Sequence, residues 1–88
     1  MLRIKWPDWW KWELEFSPHL LKRMLDRRFT EVELRHMLER ASGFQKDIVE
    51  GRWVIHTRHR RKRWQVIVEP DYEMKLLVVI TAYPLEND

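Results

Sequence analysis

Two histidines, a threonine, a tyrosine and several arginines are the residues of this 88-residue chain whose types suit chemistry on a phosphodiester. His19, Arg23 and Arg27 recur every four residues, so on a helix they stack on one side. In the first turn, His19 meets the positive end of the helix dipole, which favours a neutral imidazole able to accept a proton. His56 and Arg58 are two apart, as are Thr81 and Tyr83, so on strands each pair shares a face. Cleaving RNA without a metal needs a base for the 2′-hydroxyl, an acid for the leaving 5′-oxygen, and cations around the crowded phosphorane. Imidazole, phenol and guanidinium supply those three functions. The plainer reading of the same residues is a solvated basic helix face, with Thr81 and Tyr83 filling the second face of a sheet.

The stretch HTRHRRKRWQVIVEP, residues 56–70, adds a second signal. Between Arg58 and Arg63 it sets five permanently charged cations and a histidine in six successive residues, then turns into the β-prone run Trp64, Val66, Ile67 and Val68. Adjacent like charges repel unless water, counterions or a bound polyanion screens them. Arg60, Arg61, Lys62 and Arg63, together with Arg27, are therefore candidate phosphate grips, against the alternative of a solvated charged turn.

Composition removes other classes. With no cysteine there is neither a disulfide nor a thiolate nucleophile or ligand. His56 and His59 are three apart and so face opposite sides of a strand, and no carboxylate is spaced to complete a metal site. No Gly-rich loop offers to cradle a nucleotide, and no serine sits in a nucleophile elbow. Neither a metal nor a cofactor is expected. The acids Glu69, Asp71 and Glu73 flank a turn, where carboxylates are usually just solvated. The apolar stretch 76–82 is far too short to span a membrane, and residues 1–12 lack the pattern of an export signal. A soluble cytoplasmic protein with no membrane partner is the expectation. The net charge of +3 matters less than its clustering.

The elements that must position these residues follow from local patterning. Trp10, Trp12, Leu14 and Phe16 alternate with polar residues and predict a strand. Ser17 and Pro18 then read as the N-cap and first residue of a helix that buries Leu21, Met24 and Leu25 and stops near Arg28, with Phe16 stapled onto Leu21. Thr30 and Glu33 form a capping box for a second helix whose stripe is Leu34, Met37, Leu38 and Ala41, closed by Gly43 as a left-handed cap. After an irregular segment through Gly51 come three strands, RWVIHTRH, RWQVIVE and MKLLVVITAY. Pro70, Asp71 and Tyr72 supply the last turn. The turn between the first two of these strands carries no Gly, Asn or Asp, so familiar turn chemistry does not specify it.

The expected architecture over residues 1–88 is one α+β domain of order β-α-α-β-β-β, two helices covering one face of a mostly antiparallel four-stranded sheet. Trp53, Ile55, Trp64, Val66, Val68, Val78 and Ile80 would lie under the helices. His56, Arg58, Gln65, Thr81 and Tyr83 would then meet on the open face. Six tryptophans enlarge a core that 88 residues leave thin. The Trp-rich N-terminus is either part of that core or a stacking platform for bases.

The segments SPHLLKRMLDRRFTEVELRHML, GRWVIHTRH, WQVIVEPD and LLVVITAYP resemble the small bacterial domains grouped as the domain of unknown function 4258 family, placed near the RelE and ParE toxins. The resemblance runs from about Trp9 to Pro84. Its specific part is the histidine at the helix start, the Arg-Met pair four residues on, and the Thr-Ala-Tyr ending. It implies a RelE-like fold and kinship with ribonuclease toxins held inactive by a cognate antitoxin, and it sets His19, Arg23, Arg27, Thr81 and Tyr83 where the family pattern is most specific. Three functions follow as expectations: a metal-independent endoribonuclease acting on RNA or ribosome-bound mRNA, a non-catalytic nucleic-acid or ribosome-binding module, and a protein-interaction domain such as a gyrase-directed toxin.

Overall fold

A computed structural model describes residues 4–85. A 3-10 turn over Asp8–Lys11 leads into a short strand, β1 (Glu13–Phe16), and two helices follow, α1 (Pro18–Asp26) and α2 (Glu31–Glu39). Four strands complete the chain: β2 (Gly43–Lys46), β3 (Trp53–His59), β4 (Lys62–Asp71) and β5 (Leu76–Pro84). The sheet is five-stranded in the order β1-β5-β4-β3-β2, with β1 parallel to β5 and every other pair antiparallel. The class is the expected α+β, with one strand more than the expected four. The extra strand is β2, in the segment read as irregular. Gly43 opens it instead of capping α2, whose C-cap is Arg40 in a right-handed conformation.

Both helices start where their caps dictate. Ser17 Oγ accepts from the Leu20 amide at 3.0 Å, and Pro18 occupies the first helical position. Thr30 and Glu33 exchange both bonds of a capping box, at 3.1 Å and 2.9 Å. Helix α1 ends in a Schellman turn: Arg28 is left-handed at φ 53°, and the Phe29 amide reaches back to the Met24 carbonyl at 3.1 Å. The stripe of α1 is displaced from its expected position. Leu20 is the buried residue, while Leu21 is 49 % and Leu25 82 % exposed, which also removes Leu21 as a staple partner. Leu34, Met37 and Leu38 of α2 are buried as their spacing predicts.

The helices close over one face of the sheet, joined in a single core by Ile55, Val66, Val68, Leu77, Val79 and Ala82, with Trp53 at its margin. Val78 and Ile80, expected under the helices, are only half-buried; Leu77 and Val79 take their place. The N-terminal tryptophans belong to this core. Trp9 is buried against Trp53 and Phe44, and Trp10 stacks on Trp6 at 4.1 Å between ring centroids. Trp10 and Trp12 therefore precede the strand that begins at Glu13.

One irregularity in β5 decides what the open face carries. Val68 pairs with Val79 and Ile67 with Thr81, so Ile80 is an extra residue, a β-bulge. Ser17 holds the bulge by donating from Oγ to the Ile80 carbonyl at 2.7 Å. Because the bulge shifts the alternation by one, Leu77, Val79 and Ala82 face the helices while Thr81 and Tyr83 face away from them.

Candidate nucleic-acid interface and cleavage site

The open face carries a polar row built by register. His56 pairs with Gln65, and Gln65 pairs with Tyr83, so three side chains lie side by side on adjacent strands. Their chain neighbours Ile55, Val66 and Ala82 belong to the helical core, which fixes the row on the opposite side. The Tyr83 hydroxyl donates to Gln65 Oε1 at 2.7 Å, and Gln45 from β2 meets His56 Nε2 at 3.1 Å through its Oε1. With that oxygen as acceptor, Nε2 carries the imidazole hydrogen and Nδ1 keeps its lone pair. Burial, with a smaller contribution from the Asp47 carboxylate, raises the Tyr83 pKa above its ordinary value, so the phenol is a donor at neutral pH. Beside the row, Val54 and Ile67 are buried and form an apolar floor, and Thr81 pairs with Ile67 there.

Arg58 and Arg63 are cross-strand partners one step further along the same face. A cleft of about 560 Å³ runs past them, lined by His56, Gln65, Arg58, Arg63, Ser42 and Leu85 among others. The Arg58 guanidinium makes no hydrogen bond or ion pair with a described residue, so it is available to an anion.

The hairpin tip answers the question its sequence left open. Arg60 and Arg61 join β3 to β4 with φ of 52° and 66°, both left-handed, the backbone of a two-residue hairpin turn that normally selects Asn and Gly. Two arginines here cost about 1 kcal/mol or more each in backbone strain. Arg60 is tied down: its Nη2 donates to the Arg28 carbonyl at 3.0 Å and to Glu33 Oε2 at 3.1 Å. Arg61 is exposed and makes no such bond with a described residue, and Lys62 is exposed beside it.

His59, behind the tip, is a buried polar group that sequence reasoning weighs only as a metal ligand. It faces the helices, with Nε2 lacking a hydrogen-bond partner and lying 3.5 Å from Glu33 Oε2. Burial lowers its pKa below 6.5, while the Glu33 carboxylate pulls the other way and Arg60 and Arg40 reinforce the lowering. Arg40, which that reasoning passes over, donates from Nη2 to the Arg58 carbonyl at 3.2 Å. No local pattern marks a helix C-cap as reaching a hairpin 18 residues away.

The remaining candidates are set apart. His19 and Arg23 lie on the exposed side of α1, where Arg23 Nε approaches His19 Nε2 at 3.4 Å and Arg23 pairs with Asp26 at 3.7 Å. That helix covers the core face, so His19 and Arg23 do not join His56 and Tyr83 across the sheet. Arg27 has a structural task, donating from Nη1 to the Ala82 carbonyl at 2.9 Å. Among the described residues no three His, Cys, Asp or Glu side chains are grouped to hold a metal ion, and no helix is long and apolar enough to cross a membrane. The chain matches no protein-family model, no curated protein and no solved structure.

Proposed function

We propose that this chain binds single-stranded RNA along the basic hairpin and cleaves it without a metal on the open sheet face, as a RelE-like toxin domain. The observation that carries the reading is the register row His56–Gln65–Tyr83 with Arg58 and Arg63 immediately beside it. His56 and Tyr83 stand two strand spacings apart, about 10 Å between backbones, so their side chains can approach a phosphate from opposite sides. In this scheme Nδ1 of His56 takes the 2′-hydroxyl proton and the 2′-oxygen attacks phosphorus. Arg58 and Arg63 stabilise the phosphorane, and the bond to the 5′-oxygen breaks as Tyr83 donates its proton to that oxygen. The products are a 2′,3′-cyclic phosphate and a 5′-hydroxyl. His19 and Arg23 have no part in the step, and Thr81 contributes to the floor.

One observation favours a second reading, a non-catalytic RNA- or ribosome-binding module. The Tyr83 proton is already donated to Gln65 Oε1, and its pKa is raised, so the phenol parts with it reluctantly. By the family resemblance the partner that restrains the domain is an antitoxin protein, and the ribosome is the place where mRNA is met.

The test is incubation of the purified protein with mRNA in EDTA, with and without ribosomes, with the new ends mapped. Cleavage giving cyclic phosphate ends, reduced about 10²- to 10⁴-fold in His56→Ala with RNA affinity nearly unchanged, supports the enzyme. Salt-sensitive binding with no cleavage under either condition supports the module.

A further inference from the structure

Behind the hairpin, a second cavity of about 260 Å³ is lined by Arg40, Arg58, His59, Arg60 and Arg61. It shares only Arg58 with the cleft on the open face. Of its four arginines, Glu33 pairs with Arg60 alone; Arg40, Arg58 and Arg61 have no carboxylate partner among the described residues. Arg40 is not there by chance of a floppy surface chain, since its guanidinium is fixed on the Arg58 carbonyl. Arg61 is aimed by a left-handed backbone that an arginine adopts only at an energetic cost. The fifth lining residue, His59, is 6 % exposed and keeps a ring nitrogen without a hydrogen-bond partner.

Four guanidiniums around one cavity, two of them anchored (Arg40 and Arg60) and two unpaired (Arg58 and Arg61), form a receptor for a tetrahedral oxyanion, with the His59 ring in its wall as a reporter. We infer that this cavity is a second phosphate subsite, which seats a backbone phosphate of the RNA neighbouring the one held at Arg58 and Arg63. The inference deepens the RNA-binding reading and rests on it. Its content is directional: the strand passes over the hairpin from the open face to the α2 side, with Arg58 at the crossing. Arg40, on the C-cap of α2, then becomes part of the interface although it lies outside the basic run. The cavity is open to solvent, which suits a phosphate within a continuous chain.

The experiment uses the intact protein and a fluorescent single-stranded oligonucleotide titrated at several salt concentrations. In parallel, inorganic phosphate is titrated while NMR follows the His59 ring. Arg40→Ala is expected to lower oligonucleotide affinity and to flatten the log-log salt slope by about 0.7 units, the loss of one phosphate contact. Arg40→Lys, which keeps the charge, should retain the slope. Oligonucleotide should shift the His59 resonances in the wild type and much less in Arg40→Ala. An unchanged slope in Arg40→Ala overturns the subsite even if the wild type binds or cleaves RNA. Response of His59 to inorganic phosphate with no effect of Arg40→Ala on oligonucleotide also overturns it, leaving a site for free phosphate only. A wild type that binds no oligonucleotide at any salt defeats the RNA-binding reading, a separate failure read before any variant.

Discussion

Tyr83 faces Gln65 across the β4–β5 ladder and donates to its Oε1 at 2.7 Å, although strict alternation from Leu77 and Val79 would turn the phenol under the helices. The extra residue Ile80 makes the difference, and Ser17 of the α1 cap holds it in place. A helix cap 63 residues away in sequence thus helps decide which face of β5 carries the phenol.

Tyr83→Phe tests that phenol. Losing one hydrogen bond of a half-buried hydroxyl costs about 1 kcal/mol, so the urea midpoint should fall modestly. If the phenol protonates the leaving oxygen, RNA cleavage falls by about 10²- to 10⁴-fold. Single-turnover assays in which Tyr83→Phe cleaves at the wild-type rate remove the phenol from the mechanism.

The hairpin tip should show a trade between stability and binding. Arg61 has φ 66°, which glycine adopts freely, so Arg61→Gly relieves strain and should raise stability by about 0.5 to 1 kcal/mol. The same change removes a phosphate contact and should lower RNA affinity at low salt. Destabilisation in Arg61→Gly, measured by urea unfolding, would contradict the strain argument.

Glu33 closes the α2 capping box, pairs with Arg60 and faces His59. Thr30→Ala breaks only the cap and should cost about 1 kcal/mol. Glu33→Ala also removes one of the two bonds that hold Arg60 at the hairpin tip, leaving the one to the Arg28 carbonyl, so its cost should be larger. Equal midpoints for the two variants would mean that the Arg60 and His59 contacts add nothing to stability.

Acid should lower the stability of this protein over two pH windows. The folded pKa of His59 lies below 6.5, so in that window the unfolded chain binds more protons and stability falls as pH drops from 6.5 through the folded value. Glu33 has its pKa lowered below 4.5, chiefly by the Thr30 amide, so its contribution is present above 4.5 and is lost as pH falls through the folded value. Thermal unfolding between pH 7.5 and 5 should show a declining melting temperature. His59→Phe, which keeps a ring beside Trp64, should flatten that part of the curve. A wild-type melting temperature independent of pH in this range would show that the buried imidazole is not linked to folding.

Arg58, Arg61 and Lys62 are the members of the basic run whose side chains have no partner among the described residues, and Arg58 and Arg61 are the two that also line the cavity behind the hairpin. Replacing both by Ala should flatten the salt slope of RNA binding by about 1.4 units, at roughly 0.7 for each lost contact. An unaltered slope would return the run to a solvated surface.

What the sequence by itself determined was local. Ser17-Pro18 and Thr30…Glu33 specify their helix starts because capping joins groups three residues apart, and the 3.6-residue stripe of α2 reads directly from Leu34, Met37 and Leu38. Alternation made β3 and β4 legible, and with them the shared face of His56, Arg58 and Gln65. Tertiary structure decided the rest, because it depends on partners distant in the chain. The segment 43–46 becomes a strand only because β3 offers it a free edge, and neither its length nor its composition marks it alone. Leu20 is buried instead of Leu21 and Leu25 because α1 is anchored through Ser17 to β5, which sets the helix's rotation over the sheet. The Ile80 bulge reverses the facing of everything after it, a non-local adjustment that period-two reading cannot contain. Likewise, only folding separates His19 from His56 and brings Arg40, His59 and Glu33 behind the basic turn, since charge clusters along a chain do not say which side of a sheet they will occupy.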